Sequence, residues 1–159
     1  MELLHISDIP PLEFARFPGE LSGETGSNRA INVQAQMNVH TDVDAIKAWL
    51  ARSVVTTGTY SNYRKEAERL LLWSIIECRK PLSSLTPDDL RAYQLFLGDP
   101  QPVERWLMQR GRNRSRFDPE WRPFVAALSA TSQRNSIAIL NSLFSWLVKI
   151  GYLASNPLK

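Results

Sequence analysis

The first 40 residues show no helical period. Between residues 1 and 29, Pro and Gly recur among scattered polar residues and interrupt any regular pattern. In residues 31–39, by contrast, apolar and polar positions alternate strictly, which is typical of a strand. A lone strand needs a partner, and no later segment has that pattern. The alternating segment is therefore an extended stretch lying on the helices, an edge that pairs with another molecule, or a misleading run.

From Thr41 onward the pattern is helical. Thr41 is a good N-cap for a first helix that extends through Arg52, with Asp44 at its third position. Thr56 or Thr57 caps a second, longer helix. Further helices are predicted at residues 87–97, at about 103–109, and from Ser129 or Thr131 to Ile150. The pattern thus predicts an all-α protein, a small bundle of four to five helices preceded by an irregular N-terminal arm.

The second and last helices each have a polar outward face. At about 100° per residue, Asn62, Lys65 and Arg69 lie opposite the apolar stripe of the second helix. Near the start of the last helix, Arg134 and Asn135 also lie off the apolar stripe. Two such helices, side by side, could span a groove, and amide and guanidinium groups are suited to base edges in DNA.

The composition indicates one domain, or one domain plus an arm. The chain has 159 residues, of which 43% are hydrophobic and 22% charged, and its longest uncharged run is too short and too polar to span a membrane. The single cysteine excludes an internal disulfide, so a reducing, cytoplasmic compartment is expected, with no membrane partner.

The charge is divided unevenly along the chain. Residues 1–40 carry five acidic and two basic side chains, whereas residues 41–159 carry 11 acidic and 17 basic ones. The net charges of these parts are −3 and +6. This asymmetry predicts an acidic arm (1–40) followed by a helical body (41–159) that faces a polyanion, although such a charge is also common on proteins that bind no nucleic acid.

No catalytic residue, metal site or cofactor is predicted. His5 and His40 lack a second His at ligand spacing, and no glycine-rich phosphate loop occurs. Asp88 and Asp89 are interpreted as acids that stabilise the first turn of the third helix. Cys78 falls on the apolar stripe of the second helix with no His nearby, so an inert thiol is favoured over a nucleophile.

Four arginines alternate with other residues between positions 110 and 116, with no acid among them. They are Arg110, Arg112, Arg114 and Arg116. One interpretation is a mobile, solvated loop whose charges confer solubility. The other is a segment that follows a phosphate backbone without base preference.

Short segments in a fixed order carry a family resemblance. They are residues 45–50 (AIKAWL), 59–63, 66–73 (EAERLLLW), 81–86 with 89–90 and Tyr93, 96–97, 121–124 (WRPF), 128–129 with Ser132, 143–148 (LFSWLV), 151–153 and 156–157. From about residue 42 to residue 157, the chain resembles the core-binding, SAM-like N-terminal domain of tyrosine recombinases, the phage-integrase family.

The resemblance implies a small helical bundle that clamps duplex DNA opposite a separate C-terminal catalytic domain. Further implied partners are that catalytic domain, in the same parent chain, and other recombinase protomers; no cofactor is implied. The contact residues carried over are Thr57, Thr59, Asn62, Lys65 and Arg69 on the second helix, and Ser132, Gln133, Arg134 and Asn135 at the start of the last helix. The arginine run from Arg110 to Arg116 has no place in the family pattern.

The catalytic signature of that family has no counterpart here. It consists of two arginines, a His-x-x-Arg segment and a tyrosine nucleophile, and Tyr152 is interpreted as a packing residue. We therefore expect a part of a longer recombinase that binds DNA and does no bond chemistry. The alternatives are a helical protein-interaction module and an independent transcriptional DNA-binding protein. The second is disfavoured because no short recognition-helix unit with a tight turn is evident.

Overall fold

The fold is all-α, as predicted. The computed structural model describes residues 5–30, 38–53 and 56–159. In this part of the chain, five α-helices form and no strand does. The helices are α1 (Asp42–Ser53), α2 (Thr57–Ile76), α3 (Pro87–Gly98), α4 (Val103–Trp106) and α5 (Ala130–Lys149). Of the alternating segment, residues 31–37 lie outside the described residues, so its three interpretations stay open.

The predicted helix starts are confirmed by their caps. The side chains of Thr41, Thr56 and Ser129 each accept a hydrogen bond from a backbone N–H in the first turn of α1, α2 and α5. At α3, Thr86 and Asp89 form a reciprocal capping box. Each cap satisfies a backbone donor that the helix itself leaves free, which fixes where the helix begins.

α5 is the centre of the bundle. The helices α1, α2 and α3 all pack against it, and α1 also packs against α2. Leu140, Leu143, Phe144 and Leu147 are fully buried along its inner face. Gly151 follows α5 with φ +83°, the predicted left-handed C-cap. The two long helices that carry the predicted contact residues are therefore direct neighbours.

The apolar stripe predicted for α2 accounts for only part of the buried surface of that helix. The helix is buried on all sides from Glu66 to Ile76, with the half-buried Arg69 as the one exception, and Cys78 lies beyond its end. The reason is its position, because α1 and α5, the 3-10 turn Leu82–Ser84 and the N-terminal arm all pack against it. A helix covered from several directions has no single apolar face for a period to reveal.

The described part of the arm is docked against the helices. Ile6, Ile9, Leu12 and Ala15 are buried and belong to the same hydrophobic core as the bundle. Three 3-10 turns, Ile6–Asp8, Leu12–Phe14 and Gly19–Ser22, shape this segment. Arm and helices thus share one core, although they differ in charge and in sequence pattern.

A buried polar cluster joins the arm to the start of α1 and the end of the chain. Asp42 accepts hydrogen bonds from the Tyr152 hydroxyl at 2.6 Å and from the Ser83 backbone N–H at 3.0 Å. Burial raises the pKa of the Asp42 carboxyl, while these hydrogen bonds act in the opposite direction. Gly23, with φ +89°, packs so closely that a Cβ there would lie 2.2 Å from the Asp42 carboxyl. The cluster holds the arm in place.

Candidate nucleic-acid interface

A groove about 490 Å³ in volume lies between α2 and α5. Asn62, Lys65 and Arg69 line it from α2, and Ser132 and Asn135 line it from α5. These residues were selected from two segments about 70 positions apart, and the fold brings them to one surface. The two polar helix faces therefore lie side by side, as the prediction requires, with a groove between them.

The threonines at the start of α2 stand at its exposed N-terminus. Thr57 is exposed, and Thr59 is half-buried, with its hydroxyl accepting a hydrogen bond from the Thr56 hydroxyl at 2.8 Å. Neither residue lines the groove. They lie about one turn before Asn62 along the helix, where hydroxyls and unpaired backbone N–H groups suit an anionic oxygen.

The predicted residues on α5 differ in their availability. Ser132, Arg134 and Asn135 are exposed, and the Arg134 guanidinium donates to the Thr131 hydroxyl of its own helix at 3.2 Å. Gln133 instead turns inward. Its side-chain amide donates to the Leu128 carbonyl at 2.9 Å and lies so close to Gly98 that a Cβ there would clash. Gln133 therefore connects α5 to the end of α3.

The prediction that Arg69 faces outward is wrong. Only 11% of its side chain is exposed. Its guanidinium donates to the Pro123 carbonyl at 2.9 Å, lies 3.6 Å from Glu66 and stacks over the Phe124 ring at 4.2 Å. Burial lowers the pKa of Arg69, although Glu66 opposes that effect. The segment around Pro123 and Phe124 covers Arg69, which helical projection alone does not reveal.

The four arginines of the run fall into two pairs. Arg110 and Arg112 are exposed, and Arg110 has an unusual φ of +57°. Arg114 instead pairs with Asp118 at 3.4 Å and with Glu120 at 3.0 Å. The picture of a uniformly mobile, solvated loop is wrong for the second pair, because both Arg114 and Arg116 are held by contacts within the protein.

Arg116 joins three parts of the fold. Its guanidinium donates to the Ile9 carbonyl of the arm at 3.3 Å, lies 3.5 Å from Glu68 on α2 and stacks over the Trp121 ring at 4.0 Å. Only 19% of the side chain is exposed. Arg116 is therefore a structural residue.

The cationic side chains of α2, of the arginine run and of the start of α5 thus form two sets. We call Arg64, Arg69, Arg114 and Arg116 the anchored arginines, because each is paired with carboxylates inside the fold. We call Lys65, Arg110, Arg112 and Arg134 the exposed cations. Arg64 was not among the predicted residues; it pairs with Glu13 of the arm and with Glu68 at 3.4 Å, and no local sequence signal connects α2 to the arm.

Two other side chains considered for chemistry, Cys78 and Asp89, have structural surroundings that explain them. Burial raises the pKa of the Cys78 thiol to about 11, so the reactive thiolate is scarce at neutral pH. Asp89 caps α3 and accepts a hydrogen bond from Lys80 at 2.7 Å. Among the described residues, no group of three His, Cys, Asp or Glu side chains could hold a metal ion. No helix described here is long and apolar enough to cross a membrane.

Models of protein families, curated proteins and solved structures were compared with this chain. None of them matches it. The proposals below therefore depend on the geometry of the surface and on the resemblance noted in the sequence.

Proposed function

We propose that this chain binds duplex DNA through the groove between α2 and α5. Following the resemblance, we propose further that it is the core-binding module of a site-specific tyrosine recombinase and grips one recombination half-site. The bond chemistry would belong to a separate catalytic domain of the parent chain. In that role the module acts in the cytoplasm, alongside other protomers on DNA.

One observation carries the proposal. Asn62 and Lys65 on α2 face the same groove as Ser132 and Asn135 on α5, although nothing in their sequence positions requires this. Amide side chains pair well with adenine edges in the major groove, while lysine and hydroxyl groups suit phosphates. The groove therefore combines groups that read bases with groups that position a backbone.

We propose that the other exposed cations supply further phosphate contacts. Arg134 stands at the start of α5 beside Asn135, and Arg110 and Arg112 are exposed in the loop that precedes α5. Contacts of this kind with phosphates raise affinity without reading sequence. The anchored arginines contribute little to this affinity, because their guanidinium groups are already paired with carboxylates of the protein.

The contacts of Tyr152 are consistent with a chain that binds DNA without cutting it. Its hydroxyl is buried and donates to Asp42, and burial raises its pKa far above the usual range. A tyrosine nucleophile needs an accessible, activated hydroxyl. Tyr152 thus serves packing in this proposal and takes no part in cutting DNA.

The alternative, a helical protein-interaction module, uses the small residues on the outer face of α5. Ala138 and Ser142 are exposed there. Asn141 and Ser145 on the same helix are half-buried, and both accept hydrogen bonds from the Asn156 side chain, at 2.8 and 3.0 Å. The part of this face open to a partner helix is correspondingly reduced, which favours the DNA proposal.

Fluorescence anisotropy with a labelled duplex tests the proposal. We expect binding at low salt, and we expect the Asn62→Ala/Asn135→Ala variant to lose preference for a selected site over random duplex by about tenfold or more, because good base contacts contribute about 1–3 kcal/mol each. Gln94→Ala, at an exposed position on α3, is the control. Absence of duplex binding at low salt would favour the interaction module.

The recombinase relationship has its own test. The coding sequence beyond the codon for Lys159 should contain an Arg, a His-x-x-Arg segment and a Tyr in that order if the parent is a tyrosine recombinase. A coding sequence without that set would contradict the relationship and leave the duplex-binding proposal standing.

A further inference from the structure

Two exposed aromatic side chains line a second groove on the other side of Lys65. Phe14 is 70% exposed and Phe117 is 78% exposed, and both line a groove about 650 Å³ in volume. Trp121 and the exposed Val125 line it too. Large apolar groups gathered in one exposed groove mark a binding surface more often than a chance arrangement.

Both phenylalanines are carried by segments that are held in place. Phe14 ends the 3-10 turn Leu12–Phe14, whose Leu12 N–H donates to Glu68 at 2.9 Å and whose Glu13 pairs with Arg64. Phe117 follows Arg116, one of the anchored arginines, and precedes Asp118, which pairs with Arg114. The aromatic rings are thus exposed although the backbone beside them is well fixed.

The groove is also rich in positive charge. Among the described residues, five cationic side chains line it against two carboxylates, Glu13 and Glu68, and the four arginines among them already pair with carboxylates. The cations are Lys65 of α2 and the four anchored arginines, Arg64, Arg69, Arg114 and Arg116. Lys65 and Arg69 line both this groove and the one between α2 and α5. The two grooves are therefore adjacent and meet along one side of α2.

We propose that the groove between Phe14 and Phe117 binds unstacked bases of single-stranded nucleic acid. The faces of the two phenylalanines stack against bases, and the exposed Lys65 attracts the phosphates. Exposed aromatic rings combined with a cationic groove are the means by which proteins bind single strands without sequence preference. The volume suits one or two nucleotides at a time, since small-ligand sites measure about 300–1,000 Å³.

The continuity of the two grooves favours a nucleic acid over an acidic protein segment. Lys65 lies between the groove of α2 and α5 and the aromatic side chains, so one nucleic acid molecule can pass Lys65 and occupy both grooves. The choice of a nucleic acid as the occupant rests on the proposed function, but a single strand contacts Phe14 and Phe117 without any duplex in the neighbouring groove.

Anisotropy with fluorescent oligothymidylate of 15 nucleotides, together with a blunt duplex, tests the inference. We expect Phe14→Ala/Phe117→Ala to weaken oligothymidylate binding about fivefold or more for each base that stacks, because stacking contributes about 1–3 kcal/mol per base. The control is Leu95→Ala, which removes a 74% exposed apolar side chain from α3, outside this groove. Circular dichroism of each variant verifies that the fold is retained.

The results separate this inference from the proposed function. Oligothymidylate binding that falls in the double variant and not in Leu95→Ala supports the aromatic groove, even if blunt duplex does not bind. Duplex binding without oligothymidylate binding, or equal oligothymidylate affinity in the double variant and the wild type, overturns it. Concentration-dependent self-association that the double variant abolishes, with no oligothymidylate binding, would identify the groove as a protein interface and also overturn the inference.

Discussion

The anchored arginines and the exposed cations are close in sequence but differ in their surroundings, because the first are held by protein contacts and the second are exposed to solvent. Lys65 and Arg69 are separated by one helical turn of α2, yet Lys65 is exposed and Arg69 is covered by the segment at Pro123 and Phe124. Arg112 and Arg114 are two positions apart, yet only Arg114 forms ion pairs within the described residues. A run of positive charge is therefore not one functional unit, because packing decides which members remain available to a ligand.

Replacing Arg69 should give the largest effect on stability. Arg69→Ala removes the hydrogen bond to Pro123 and the stacking on Phe124, and it leaves the buried Glu66 without its cation. We expect the free energy of unfolding to fall by about 3 kcal/mol, as is common when one member of a buried ion pair is removed.

Urea denaturation measures this change, and Lys65→Ala is the matched control. As an exposed position on the same helix, Lys65 should affect stability by less than about 0.5 kcal/mol. Equal losses of stability from the two substitutions would contradict the claim that the fold holds Arg69 and leaves Lys65 exposed.

Arg116 should have a smaller but still clear effect, centred on the arm. Arg116→Ala removes the contacts with Ile9, Glu68 and Trp121, and we expect a loss of about 2 kcal/mol, since hydrogen bonds to charged groups contribute about 1.5–3 kcal/mol. Hydrogen exchange of the Leu12 amide should also become faster, because that amide donates to Glu68. Unchanged protection of Leu12 would mean that Arg116 does not hold the arm.

The exposed half of the arginine run should affect binding without affecting stability. Arg110→Ala/Arg112→Ala is expected to change the free energy of unfolding by less than about 0.5 kcal/mol. If both guanidinium groups contact phosphates, the slope of log affinity against log salt should fall by about 1.8, which is 0.9 for each contact. A stable variant whose slope of log affinity against log salt is unchanged would show that these two arginines only confer solubility.

The ion pair between Arg64 and Glu13 should have the smallest effect on stability, and that effect should depend on pH. The hydrogen bond with Arg64 lowers the pKa of the Glu13 carboxyl, so the pair stabilises the folded state at neutral pH. That contribution is lost as the pH falls through the lowered pKa, because a protonated Glu13 no longer pairs as an anion. The free energies of unfolding of the wild type and of Glu13→Gln should therefore differ at pH 7 and converge once the pH is low enough to protonate Glu13 in the folded state. A constant difference would contradict this assignment.

The ends of the helices were predictable because they depend on neighbouring residues. Thr86, Pro87 and Asp89 stand within four positions of one another, and their capping box forms as the local sequence indicates. The same holds for the caps at Thr41 and Ser129. Such signals need no knowledge of the rest of the fold.

The docking of the arm was not predicted, although a signal was present. Ile6, Ile9, Leu12 and Ala15 recur at every third position and are all buried. That spacing fits successive 3-10 turns, in which residues three apart share a face. A search for helical and strand periods alone overlooks it, and the prolines at positions 10 and 11 favour an irregular segment.

The candidate site was only partly predictable. Helical projection identified Asn62 and Lys65 on α2 and Arg134 and Asn135 on α5, and all four are exposed. It failed for Arg69, because the segment that covers Arg69 comes from a distant part of the chain. Gln133, which the family resemblance implied, turns inward to the Leu128 carbonyl instead. Burial produced by such long-range packing has no signature in the local sequence.

The most direct test of the account is the salt dependence of duplex binding by Lys65→Ala/Arg134→Ala, measured against Lys149→Ala/Arg91→Ala, which removes two exposed cations away from the groove. We expect the slope of log affinity against log salt to fall by about 1.8 in Lys65→Ala/Arg134→Ala, at 0.9 per phosphate contact, and to stay at the wild-type value in the control. Equal slopes in the two variants, or no duplex binding by the wild type at low salt, would contradict it.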